Sequence, residues 1–350
     1  MKKILFLVFI GTTLVSCVKK DEIVAPAADY ADILTNIGTE VIVPTYADLY
    51  NKTETLITTV NALKITPNAT NLATAQQAWR DARVPWELSE GFLFGPVKQK
   101  GLDPSIDSWP VNQTDLDNVL GSSATLTKAY IDGLDGTLKG FHTVEYLLFG
   151  ANSNKTIADF TPRQLEYLTA CTESLAGATQ TLYYSWKAEK DNFVSNFTSA
   201  GNREKSNYIA QKAALQDVVN GMVTIADEVA NGKIDAPYSQ QNLTLEESRF
   251  SANSKPDFAN NIRSIKNAYY GRYWNTSGLG ISKIIAAKNS SLDAKVKKEI
   301  DEAVSAIENI TGTFTYAVIN ARPSVQAAQI KVRTLQQTLE AEVLPIISNM

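Results

Sequence analysis

The stretch TPRQLEYLTACTESLAGATQTLYYSW, residues 161–186, decides the fold. Its apolar or small positions fall at Leu165, Leu168, Cys171, Leu175, Ala178, Leu182 and Trp186, spaced by three or four, which predicts one buried stripe along a long α-helix. Thr161 and Gln164 form a capping box and Pro162 occupies the first helical position, so the helix has a defined start. Cys171 lies on the stripe and reads as a packed thiol. Three further stripes repeat the pattern: Leu215, Val219, Met222, Ile225 and Val229; Phe258, Ile262, Ile265 and Tyr269; and Val325, Ala328, Val332, Leu335, Leu339 and Val343. No strand-like alternation of comparable length competes with them. The expected class is all-α, built from long antiparallel helices in bundles. Irregular stretches are expected at 91–125 and 231–256. Loops of that length are uncommon unless functional. The polar break at Asn196 to Asn202 is the best domain boundary, giving bundles over 28–198 and 199–350.

The chain has 350 residues, a net charge of −4 and two cysteines. Lys2 and Lys3, an apolar run from Ile4 to Val15 and the ending Leu14-Val15-Ser16-Cys17 resemble a bacterial lipoprotein signal over residues 1–16, with Cys17 carrying the lipid. The run is shorter than the ~20 residues a spanning helix needs. A tether over 17–27 follows, and its Lys19-Lys20-Asp21-Glu22 is similar to the charged export tag of Bacteroidetes surface lipoproteins. The expected location is the cell envelope, lipid-anchored at the outer membrane. With Cys17 modified, Cys171 is left alone and no internal disulfide is possible. No Lys/Arg stripe is present, so nucleic acid is not an expected partner.

Chemistry concentrates in two places. The chain's single histidine sits in Gly140-Phe141-His142-Thr143-Val144-Glu145, where helical i, i+3 spacing brings a ring nitrogen and a carboxylate to one face. One histidine excludes the two-histidine metalloprotease motifs and the Cys2His2 sites. No G-x-S-x-G elbow accompanies it either. The second place is Trp79 to Glu90, where Arg83, Glu87 and Glu90 share a helical face beside Trp79 and Trp86, and Pro85 interrupts the hydrogen-bond ladder.

Trp79-x3-Arg83-x-Pro85-Trp86-Glu87-x2-Glu90, then Phe94-Gly95-Pro96, then Gly140-x-His142-x2-Glu145-x-Leu147-Leu148-Phe149-Gly150 together resemble the imelysin-like family, whose signature is G-x-H-x-x-E. A third block, Glu247-Ser248-Arg249-Phe250-Ser251 through Asp257, Asn261 and Tyr270-Gly271, is similar to its C-terminal signature. The resemblance implies two four-helix-bundle domains with a site at their interface, in an exported or lipid-anchored protein linked to bacterial iron uptake. The family was earlier classed as metallopeptidases. Carried over, His142 and Glu145 match the signature, Arg83, Trp86, Glu87 and Glu90 the first block, and Ser251 and Asp257 the last. One imidazole with carboxylates suits iron or zinc, so His142, Glu145, Glu87 and Glu90 are the expected ligands of at most one ion. Arg83, with Trp86, Ser251 and Asp257, would support those ligands or hold an anionic ferric chelate. The expected function is binding of a metal ion or chelate in iron uptake, beside an outer-membrane uptake component, without catalysis. The alternatives are a metal-dependent peptidase and an envelope interaction protein whose charged interface is structural.

Overall fold

The computed structural model describes residues 29–274 and 277–350, and every regular element among them is helical. Cys17, the signal segment and the tether lie outside the described residues. Eight long helices carry the fold: α1 (Val43–Ile65), α2 (Ala69–Glu87), α3 (Gly140–Phe149), α4 (Pro162–Trp186), α5 (Gln211–Asp227), α6 (Ser254–Tyr270), α7 (Ser290–Glu308) and α8 (Arg322–Thr338). The first four close a ring in which α1 packs on α2 and α4, and α3 bridges the same two helices. The last four repeat this, α5 and α7 each touching α6 and α8. Thr66-Pro67-Asn68 alone joins α1 to α2, which forces an antiparallel hairpin, and the Asn68 side chain caps α2 by accepting from the Asn71 amide at 2.8 Å. Among the described residues, no helix is long and apolar enough to cross a membrane.

The sequence stripes are the interior faces. Thr161 and Gln164 make the capping box of α4, and Leu168, Cys171, Leu175, Leu182 and Trp186 are fully buried along it. Each buried leucine contributes roughly 1.5–3 kcal/mol. Burial in this apolar setting pushes the Cys171 thiol up to about 12, so it is a packed, unreactive group. Buried apolar side chains from both rings form one connected cluster, because α2 lies against α6 and the turn Glu90–Phe92 inserts between α5 and α6. A Cβ on Gly91 would meet Ser264 Oγ at 2.6 Å, and one on Gly221 would meet the Gly91 carbonyl at 2.3 Å. Glycine at both positions lets the two rings touch backbone to backbone.

The stretches expected to be irregular contain short helices. Residues 91–125 hold Pro96–Gln99, Asp103–Asp107 and Gln113–Gly121, while α5 runs on through a π-helical turn, Glu228–Lys233, and a helix at Asp235–Gln240. One or two turns are too short to show a period, and proline stands first or second in two of these helices. Pro85 lies inside α2, which ends two residues later at Glu87.

Candidate metal centre

Three connections deliver charged side chains to the seam between the rings. The last turns of α2 and the following turn carry Arg83, Trp86, Glu87 and Glu90. The helix Asp103–Asp107 ends on Asp107, and the N-terminus of α3 carries His142. From the other ring come Lys233, at the end of the π-helical turn, Glu247 and Ser251 from the segment leading into α6, and Asp257 from the first turn of α6. In that segment Ser248 and Ala252 hold left-handed backbone conformations, an unusual geometry for non-glycine residues that turns the chain toward the seam. Gly140 has a local reason in the G-x-H-x-x-E motif. Its φ is +77°, and a Cβ there would meet the Ile106 carbonyl at 2.5 Å, so only glycine brings His142 alongside Asp107.

Arg83 is the hub. Its guanidinium pairs with Glu87 and Asp107, and with Glu247 at 3.2 Å and Asp257 at 3.5 Å, while the Phe141 ring lies 5.2 Å from its Cζ. Trp86 Nε1 donates to Asp107 Oδ2 at 2.6 Å, and Asn261 Nδ2 donates to Glu87. His142 is wholly buried. Its Nδ1 lies 3.2 Å from Glu145 Oε2, and Glu145 Oε1 accepts from the Ser251 amide and hydroxyl, both at 2.7 Å. The other ring nitrogen, Nε2, faces Asp107 Oδ1 at 3.2 Å and Glu247 Oε1 at 3.6 Å without hydrogen-bonding geometry to either. Trp109 packs edge-on against the imidazole, centroids 4.9 Å apart.

Six carboxyl groups (Glu87, Glu90, Asp107, Glu145, Glu247 and Asp257) thus meet three basic groups (Arg83, Lys233 and His142). Desolvation, only partly opposed by Arg83 and Lys233, pushes Glu87 up to about 8, and desolvation opposed by Lys233 alone raises Glu90 well above the ordinary glutamate value. Burial also works against ionisation of Asp107 and Glu247. There the neighbouring positive charges prevail: Arg83 and His142 hold Asp107 far below its usual range, and Lys233 and His142 bring Glu247 to about 2. Burial alone would lower His142, yet Asp107 and its other carboxylate partners hold it well above an ordinary imidazole. The seam therefore carries fixed anions beside carboxyls that retain protons.

Two sets of ligand atoms, each within 4.8 Å of one another, emerge: Asp107, His142 and Glu247, and next to it Glu87, Glu90 and Asp107. The structure gathers His142, Glu145, Glu87, Glu90, Arg83, Trp86, Ser251 and Asp257 in one buried seam, but the four expected ligands do not form one set. Helical spacing does put Glu145 beside His142, at Nδ1, on the opposite side of the ring from Nε2. Glu87 and Glu90 group with Asp107 and Lys233. The sequence motifs assign no role to Asp107, Glu247, Lys233 or Asn261, although Asp107 lies in the irregular stretch 91–125 and Glu247 and Asn261 belong to the third block. The buried Nε2, at ion-pair distance from two carboxylates but in hydrogen-bonding geometry with neither, sits in an arrangement that a cation fits.

The fold of two helical rings agrees with the relatives. The imelysin (peptidase M75) family model matches residues 42–342, and the chain belongs to that family. Iron-regulated protein A of Synechococcus elongatus is 28% identical over 313 residues, covering 88% of this chain and 84% of that protein. Among solved structures, an iron-regulated protein A precursor from Parabacteroides distasonis superposes with a TM-score of 0.82 at 28% identity, covering 91% of this chain and 94% of that one. An imelysin-like protein from Psychrobacter arcticum gives 0.73 at 11% identity, over 91% and 95% of the two chains, a likeness of fold alone.

Proposed function

We propose that this chain is a lipid-anchored cell-envelope protein of bacterial iron acquisition that holds one metal ion on Asp107, His142 and Glu247. The buried His142 Nε2, at ion-pair distance from two carboxylates and in hydrogen-bonding geometry with neither, carries this reading. Glu145, held by Ser251, fixes the imidazole through Nδ1, the support that metal-bound histidines ordinarily have. Arg83 and Trp86 hold Asp107 in place. Because a ligating imidazole must be neutral, the metal would displace the Nε2 proton, and binding should release protons. The names of its relatives favour iron as cargo, lipid on Cys17 would tether the protein, and an outer-membrane uptake component would be its partner. Peptide cleavage is disfavoured: the three ligand side chains are at most 9% exposed, which leaves a peptide bond no approach.

The test is calorimetric titration of wild type and His142→Ala with zinc(II), and anaerobically with iron(II), beside fluorogenic peptide turnover. Affinity should fall by more than the about 10–100-fold typical of losing a supporting group, with no turnover by either protein. Equal affinities would end the metal reading, and chelator-sensitive turnover lost in the variant would establish the peptidase.

A further inference from the structure

Beside the proposed metal position, the second carboxylate set is already engaged by a positive charge. Lys233 Nζ lies 3.4 Å from Glu90 Oε2 and 3.8 Å from Glu87 Oε2, and on its other side 3.1 Å from Glu247 Oε2. It therefore touches members of both sets. Asp107 belongs to both, the place a bridging carboxylate takes in paired-metal sites whose ions stand about 3.5–4 Å apart.

We infer that Lys233 is a tethered cation filling the second half of a two-centre carboxylate cluster, and that it limits this protein to one metal ion. This rests on the reading of Asp107, His142 and Glu247 as the metal position. An ammonium on a flexible four-carbon stem is a compact point charge without directional demands, suited to stand where a cation would. Arg83 does a different job: it is wholly enclosed and its planar fork is committed to four carboxylates, whereas the Lys233 side chain reaches in from the rim and keeps 15% exposure. With Lys233 present, a second divalent ion would meet a fixed positive charge within contact distance of its ligands. Without it, Glu87, Glu90 and Asp107 remain as three oxygen donors once an entering ion displaces the protons held on the two glutamates, a set suited to a hard ion such as manganese(II).

The full chain and its Lys233→Met and Lys233→Arg variants, each checked for helical circular dichroism, should be titrated with manganese(II). Bound metal would be counted by mass spectrometry after gel filtration. We expect one ion in wild type and in Lys233→Arg, and two in Lys233→Met; Lys233→Ala replaces the methionine variant should that fail to fold. One ion or none in the folded, charge-free variant when wild type binds one, or two ions in wild type, would overturn the inference. None in wild type but one in Lys233→Met would support the role of Lys233 while refuting the single-metal reading. None in either would refute both.

Discussion

Arg83–Glu87 on α2 and Lys128–Asp132 in the short helix of that range are written identically in sequence: a base, three residues, an acid. In the fold they are opposites. Lys128 and Asp132 are 46% and 44% exposed, so water and salt screen them. Arg83 and Glu87 have no exposure, and Arg83 answers to three further carboxylates contributed by both rings. Spacing places two side chains on one helical face, but burial decides whether the pair is ornament or keystone. Burial in turn depends on what packs opposite, which for Arg83 is the segment 247–257 from the other ring.

Neutralising Arg83 should give the largest effect. Arg83→Met leaves Asp107, Glu87, Glu247 and Asp257 facing one another without their shared cation, and unpairing a buried charge costs about 3–5 kcal/mol. Urea unfolding of metal-free protein reads this directly. A loss below 1 kcal/mol would mean that protons or water compensate and that the seam is far less dry than its geometry implies.

The next effect is a pH dependence that the exposed pair cannot produce. Glu87 titrates near 8 in the folded chain against an ordinary value of 4.5, so between these values the folded state keeps a proton that the unfolded state has released. Stability of the metal-free protein should therefore fall as pH rises through that window, by up to about 1.4 kcal/mol per pH unit for one proton. His142, raised above 6.5, adds to the fall above that pH. Asp107 and Glu247, both depressed, act in the other direction, their contribution being present at neutral pH and lost on acidification. Urea midpoints from pH 5 to 8 should slope less steeply in Glu87→Gln, which mimics the protonated acid; parallel slopes would show that Glu87 ionises normally.

The same contrast explains what could be read from the sequence. Periodicity is local, so the stripes of α4, α5, α6 and α8 are visible, and their residues are buried except Ala178, which is partly buried. The eight residues carried over from the family motifs also meet in one seam. Their grouping was not legible, because it depends on which edge of the imidazole faces which element. Glu145 is tied to His142 by helix geometry alone, while Asp107 reaches Nε2 only because Gly140 lets α3 approach the carbonyl of Ile106. Lys233 comes from a π-helical turn that leaves no periodic mark in the sequence.

The smallest effect belongs to the exposed pair, and it calibrates the rest. Lys128→Ala removes an i, i+4 partner whose expected worth is about 0.2–0.5 kcal/mol at low salt. Asp132 would lose little else, because its carboxylate also accepts from Ser174 Oγ at 2.7 Å and its carbonyl from Lys139 Nζ at 2.9 Å. The urea midpoint should barely move, and the small difference should shrink further in about 0.5 M salt, where the Debye length is well below 10 Å. Arg83→Met should keep most of its deficit in the same salt, since screening ions do not reach a seam without exposure. A salt response of equal size in both variants would show that solvent penetrates the seam, and the separation between keystone and ornament would then have to be given up.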